Sequence, residues 1–261
     1  MTITKEDRHK LILDSLLRHE AMQVSDLAAL VDVSTVTIRK DLTELEKGGK
    51  LYRSHGRAIL INPYINNRSV NEKELLARDE KEAIGRYAAT LIDRNDSIII
   101  ASGTTVLAFA RAIVPNHRLT VVSASLQVSE VLGVNEAIDL IQLGGNLRSS
   151  SLSVVGSVAE HPLRDMSCSK LFLGVDGIDL DFGITTTDMR EANLNKMMMH
   201  SAQKTIVLAD SSKFRRSGFS KIANITDIDM IITDSNIPDR VARLLEENGI
   251  DVKIVSMTAK Q

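Results

Sequence analysis

Residues 24–58 read VSDLAALVDVSTVTIRKDLTELEKGGKLYRSHGRA, and their spacing sets the architecture of the N-terminal part. Ser34 carries a hydroxyl suited to capping a helix. Ile38, Leu42 and Leu45 then recur every three or four residues, so one face stays apolar as far as Lys47. Gly48-Gly49 ends that helix. Before it, Ser25 can cap a shorter helix bearing Leu27, Ala28 and Leu30, and Asp32-Val33 leaves room only for a tight turn. Upstream, Ile12, Leu13, Leu16 and Leu17 predict a helix within 5–19. Downstream, residues 51–61 predict two strands turning near His55-Gly56. The expected order is helix, short helix, turn, longer helix and wing.

A scaffold helix, a tight turn and a second helix is the arrangement that lays a helix in the major groove of duplex DNA. The outer face of the third helix is expected to carry Thr35, Thr37, Arg39, Lys40, Asp41 and Glu44. Arg39 suits a bidentate contact to guanine, and Lys40 suits guanine or a phosphate. Ser34 and Thr35 at the helix start suit a phosphate. Arg53, His55 and Arg57 would ride on the wing, with Lys47 and Lys50 beside it. Residues 1–58 hold ten Lys and Arg against nine Asp and Glu, so any DNA-facing charge is local rather than abundant.

After Asn62 the texture changes. NPYINNRSVN has four Asn, one Pro and no periodicity, and residues 62–74 read as a linker between a DNA-binding domain over 1–61 and a second domain over 75–261. A helix fits 75–92. Seven apolar runs follow, at 97–101, 119–123, 138–143, 170–175, 205–209, 230–233 and 252–255, with helical stretches at 106–114, 191–203 and 238–248 among them. Such runs, rich in Ile and Val and without strict alternation, are those of parallel strands buried on both faces. The fold class expected is α/β, with a mostly parallel, Rossmann-like sheet flanked by helices.

Several strand ends carry chemistry. Ser102-Gly103-Thr104-Thr105 follows a strand and opens a helix, which points N–H groups and hydroxyls at an anion, although such a turn can also be no more than a cap. Gly144-Gly145 and Asp176-Gly177 end two further strands, and Lys213 follows a third. The bland reading of each is a surface turn. The run Met197-Met198-Met199 reads as packing, and His161 and His200 as ordinary polar residues.

Composition narrows the classes. The chain has 261 residues, enough for two domains, and a formal net charge of -2, so whole-chain charge gives no hint of nucleic acid. Aromatics are 3% and Trp is absent, which argues against stacking on single-stranded bases. No apolar run reaches the roughly 18 residues of a membrane helix. The start, with Lys5, Glu6, Asp7 and Arg8, does not read as a secretory leader, and the single Cys168 allows no internal disulfide. A cytoplasmic protein without membrane partners is expected. The six His show no metal-ligand spacing, and no P-loop lysine, nucleophile elbow or paired CxxC occurs, so neither metal nor cofactor is expected.

The stretch 24–58 resembles the winged helix of DeoR-type bacterial transcription regulators, most specifically in T-I-R-x-D-L at Thr37–Leu42 and in His55-Gly56. Two departures stand out: Gly56 is followed by Arg57 where that family usually has a second glycine, and Lys40 stands where Arg is commoner. SGTT, QLGG, LGVDGID, GITTTDMREA and LADSSKF then follow in the family's order, so the resemblance spans roughly residues 5–235. It implies a sensor related to ribose-5-phosphate isomerase and glucosamine-phosphate deaminases. Ser102–Thr105 and Lys213 would lie near a phosphate, with Asp176 and Glu191 near sugar hydroxyls.

The expected protein is therefore a DNA-binding regulator, by default a repressor of carbohydrate metabolism, acting as a homodimer or homotetramer on an operator. A phosphorylated sugar or sugar alcohol would release it. Two rivals stay open. One is an isomerase or deaminase using Asp176, Asp179, Glu191 and Lys213, which leaves the first sixty residues unexplained. The other is a regulator whose sensor serves only for assembly.

Overall fold

The computed structural model describes residues 4–19, 21–48, 50–54, 56–60 and 70–256. The chain divides into two compact units, Met1–Asn66 and Asn67–Gln261.

In the first unit α1 (Lys5–His19) leads into a short strand β1 (Ala21–Gln23), then α2 (Val24–Leu30), α3 (Thr35–Lys47), β2 (Leu51–Ser54) and β3 (Arg57–Leu60). The strands form an antiparallel sheet in the order β1-β3-β2, with Leu51 opposite Leu60 and Gln23 opposite Arg57. The sequence missed β1, since three residues carry no readable period. Helix α2 begins at Val24, ahead of Ser25, whose hydroxyl turns to Asp26. The α3 cap is as expected: Ser34 Oγ accepts from Thr37 N at 3.2 Å. Ile12, Leu16, Leu27, Ile38, Leu42, Leu51 and Ala58 close one small core.

One residue of α3 faces the other way from expectation. Asp41 is buried rather than outward, because α1 carries the cation that neutralises it. Arg8 donates Nε to Oδ2 at 2.6 Å and Nη2 to Oδ1 at 2.9 Å, and His9 Nε2 lies 3.2 Å from Oδ1. Burial pushes the Asp41 carboxyl up, but Arg8 and His9 outweigh it and hold it below the usual range. This fork fixes α3 against α1. Arg8→Ala leaves a buried carboxylate short of its partner and is expected to cost about 3 kcal/mol in urea unfolding; Arg8→Met with Asp41→Leu should restore most of that loss.

The second unit starts with α4 (Val70–Glu74), which occupies a stretch expected to be linker. Next come α5 (Arg78–Ala89), β4 (Ser97–Ile100), α6 (Thr104–Ala112), β5 (Leu119–Ser123), α7 (Leu126–Leu132), β6 (Ile138–Gln142) and a small hairpin of β7 (Asn146–Arg148) and β8 (Ser153–Val155). The helix α8 (Ser157–Glu160) leads to β9 (Cys168–Gly174), β10 (Gly177–Asp179), β11 (Gly183–Thr186), α9 (Met189–His200) and β12 (Ala202–Leu208). The last elements are β13 (Ser220–Ala223), β14 (Met230–Asp234), α10 (Asp239–Glu247) and β15 (Asp251–Val255).

All seven apolar runs become strands of one parallel sheet, ordered β15-β14-β12-β9-β4-β5-β6. Alternate residues of β4 serve opposite faces: Ile99 joins a core with Leu171, Leu173 and Val207, while Ile98 and Ile100 join one with Phe109, Phe172 and Ile206. With both faces covered, the strands show no polar alternation. A second antiparallel sheet, β10-β11-β13, was not legible because its strands are three or four residues long.

Topology places the site. From β4 the chain moves through α6 to β5 and β6 on one side, then returns to lay β9 on the other side of β4. The loops leaving β4 and β9 therefore diverge. Ligands collect in the crevice left at such a switch point.

Candidate functional site

Two surfaces carry the expected chemistry, one in each unit. On α3, Thr35, Arg39 and Lys40 are exposed, while Ile38, Asp41 and Leu42 point inward, so the motif at 37–42 splits between outward-facing and core-facing positions. Ser34 and Thr37 share a hydrogen bond of 3.0 Å between hydroxyls. Arg57 and Lys50 are exposed near the wing. Arg53 is not free there: it donates Nε to Glu46 Oε2 at 2.9 Å, and its backbone N–H reaches Oε1 at 3.0 Å, which ties β2 to α3. His55 lies outside the described residues.

In the second unit a cleft of about 550 Å³, its solvent mouth included, opens at the switch point. Ser102–Thr105, Asp176, Glu191 and Lys213 all line it. Gly103 has φ +118°, a region that L residues rarely adopt, and a Cβ there would meet nothing within 4 Å. That open space adjoins the first turn of α6, where N–H groups lack intrahelical acceptors. Gly174 permits the close approach across the crevice, since a Cβ on it would stand 2.9 Å from Ser102 O.

Asp176, at the end of β9, accepts from Lys73 Nζ at 2.6 Å and from Thr186 Oγ1 and Thr187 Oγ1 at 3.2 and 3.4 Å. Burial raises its pKa, but Lys73, Lys213 and Thr186 outweigh that and hold it at about 2. Glu191 is buried and accepts from Ser102 Oγ at 2.9 Å, Thr186 Oγ1 at 2.8 Å and Arg148 Nη1 at 3.4 Å. Its oxygens thus accept from three neighbours, Ser102 among them, while it lines the cleft. The Thr186 hydroxyl has one proton for two carboxylates and so links Asp176 with Glu191. Arg148 also reaches Asp188 Oδ2 at 3.3 Å, at the start of α9.

Three glycines expected near a ligand are placed differently. Gly144 and Gly145 do not line the cleft; Gly144 faces Val158 and Gly145 packs against Val155 O and Ala159. The turn after β6 packs against α8. Gly177 opens β10 and packs against the Arg216 carbonyl, beyond the cleft. Asp179 is likewise outside, with Oδ1 accepting the N–H groups of Asp181 and Phe182 at 3.0 and 2.8 Å.

Sequence reasoning missed Lys73, Arg148, Ser150, Ser151 and Thr186, which also line the cleft. Arg148–Ser151 lie in the polar run NLRSSSLS after Gly145, a readable signal. Lys73 was hidden in apparent linker. Three cations line the cleft with two carboxylates, and Asp188 pairs with Arg148 as a third. Among the described residues no cluster of His, Cys, Asp or Glu could hold a metal ion, and no helix is long and apolar enough to cross a membrane.

A helix-turn-helix unit joined to an α/β unit with an anion-suited cleft defines a ligand-responsive DNA-binding regulator. The "DeoR-like helix-turn-helix domain" matches residues 8–64 and the "DeoR C terminal sensor domain" matches 76–235. This chain belongs to the DeoR family of transcriptional regulators. It is similar to a protein of Escherichia coli O157:H7 named for repression of the aga operon, with 38% identity over 95% of this chain and 93% of the other. It is also similar to the transcriptional regulator YulB of Bacillus subtilis (34%; 97% and 98% covered) and to the repressor GlcR of that species (32%; 96% of each). Ribose 5 phosphate isomerase A of Neisseria gonorrhoeae aligns over 53% of this chain and 54% of its own, at 18% identity and TM-score 0.39, a likeness too slight to argue from.

The Asp176 shift has a pH consequence. Its folded pKa of about 2 lies below the ordinary 3.8, so the folded state favours the carboxylate. The resulting stability, about 2 kcal/mol, is present above pH ~4 and lost as pH falls toward ~2. Urea titrations across that window should show this loss in the native chain and little of it in Asp176→Asn.

Proposed function

We propose that this regulator is a repressor of a carbohydrate-metabolism operon that leaves its operator when a phosphorylated sugar or sugar alcohol occupies the cleft. One observation carries the reading. The open space beside Gly103 and the first turn of α6 sits within a cleft that also holds Lys213, Arg148 and Lys73. The phosphate belongs on the Ser102–Thr105 loop and Lys213. The sugar hydroxyls belong on Asp176, an ionised acceptor at any physiological pH. The relatives named as repressors of operons support the direction of control. Exposed Arg39 and Lys40 are the base-reading pair, and Thr35 and Arg57 serve the backbone. A homo-oligomer in the cytoplasm fits this reading, since paired helices on paired half-sites gain avidity without new contacts.

Two observations weigh against an isomerase or deaminase. A carboxylate held at about 2 is a weak base near neutral pH, and Asp179 is spent on backbone N–H groups away from the cleft.

Arg39→Ala should weaken binding to the operator duplex by roughly 1–3 kcal/mol, read by fluorescence anisotropy, with folding unchanged because the residue is exposed. A wild-type affinity for that site would remove Arg39 from the base-reading pair. In a thermal-shift panel of hexose, pentose and glycerol phosphates, at least one should raise the unfolding temperature of the native chain. Lys213→Ala should abolish that rise yet keep DNA binding. Turnover of any panel member at enzymatic rates would favour the isomerase reading instead.

A further inference from the structure

Helix α4 is five residues long, well short of the roughly 12–15 at which a helix stands alone, so its place is set by tertiary contacts. Those contacts fall into two sets. On the cleft side, Val70 is buried and lines the cavity, its N–H donates to Ser150 O at 2.7 Å, and Lys73 pairs with Asp176 at 2.6 Å. Away from the cleft, Glu74 pairs with Arg111 of α6 at 2.5 Å, and the buried Lys81 ammonium donates to the Lys73 and Leu76 carbonyls at 2.5 and 2.6 Å. This strap is also the first element of the second unit, directly after residues 61–69, which lead from the DNA-binding unit.

A regulator needs contacts that differ between its ligand-bound and ligand-free states; without them a ligand binds and changes nothing. Lys73 can supply that difference. Its ammonium rests on Asp176 and shares the cleft with the Ser102–Thr105 loop. A phosphate dianion on that loop is a stronger attractor than a monovalent carboxylate. Asp176 would not be left orphaned by the exchange, because the hydroxyls of Thr186 and Thr187 remain beside it and the ligand adds its own hydroxyls.

We propose that Lys73 is the effector-sensing residue: a phosphate on the 102–105 loop draws its ammonium off Asp176, and α4, the first element after the DNA-binding unit in chain order, moves with it. The inference rests on the cleft being the sugar-phosphate site. Lys73 then acts less by holding the ligand than by reporting it.

The test separates binding from release in the full-length chain. The probe is whichever phosphate of the panel stabilises the native protein, with inorganic phosphate alongside. Lys73→Met loses the Asp176 pair and the phosphate attractor together, so the factor by which saturating probe weakens operator binding should fall at least tenfold, while probe binding stays within about tenfold of the native chain's. Lys73→Arg should keep release. Glu74→Gln loosens the strap outside the cleft and should lower the releasing concentration severalfold. Normal release by Lys73→Met at equal occupancy would overturn the proposal, as would complete loss of probe binding, which would make Lys73 a plain ligand contact. An unchanged or higher releasing concentration for Glu74→Gln would overturn it too, even should Lys73→Met fail to fold. If no phosphate stabilises the native chain, the reading of the cleft itself fails and takes this inference with it.

Discussion

A parallel sheet covered on both faces has no interior position for a charge, so its chemistry is driven to the ends of its strands. The placement of Ser102–Thr105, Asp176 and Lys213 follows from this constraint. Ile98, Ile99 and Ile100 are fully buried, and the chain becomes polar only at Ser102, one residue past the strand's last neighbour Ala101. Leu171, Phe172 and Leu173 behave alike, and Asp176 follows. Since β4 and β9 are adjacent and their exits diverge, the two polar ends face one crevice.

The same economy governs how charges in that crevice coexist. Asp176 and Glu191 are joined through Thr186, and Lys73, Arg148 and Lys213 stand against them. Glu191 accepts from Ser102 and Arg148, which ties the 102–105 loop to α9. The site is thus braced from behind by one carboxylate while the other looks into the cleft. Buried polar networks of this kind hold geometry when every member is satisfied.

The DNA-binding unit solves a parallel problem with fewer residues. A helix of thirteen residues must present Arg39 and Lys40 outward while being held firmly by its other side. Leu42 and Ile38 supply burial, and the Arg8–Asp41 fork supplies direction, since a bidentate pair fixes orientation as well as distance. Glu46 holding Arg53 ties the wing to the same helix.

The sequence determined the elements whose period is long enough to read: α1, α3 and the seven strands of the parallel sheet, because burial on one stripe or on both faces writes itself into residue spacing. It also determined the strand-end chemistry at Ser102–Thr105, Asp176 and Lys213, since polar residues directly after apolar runs mark where chains leave a core. Tertiary structure alone decided which of those ends meet. Gly144-Gly145 and Gly177 look as suitable in sequence as Gly103, yet Gly144-Gly145 follow β6, two strands from β4, and Gly177 turns away into β10. It decided that Asp41 turns inward, because its partner Arg8 is thirty-three residues away. It decided as well that Lys73, in a stretch without periodicity, reaches a carboxylate 103 residues on, for a contact between distant segments leaves no local pattern to read.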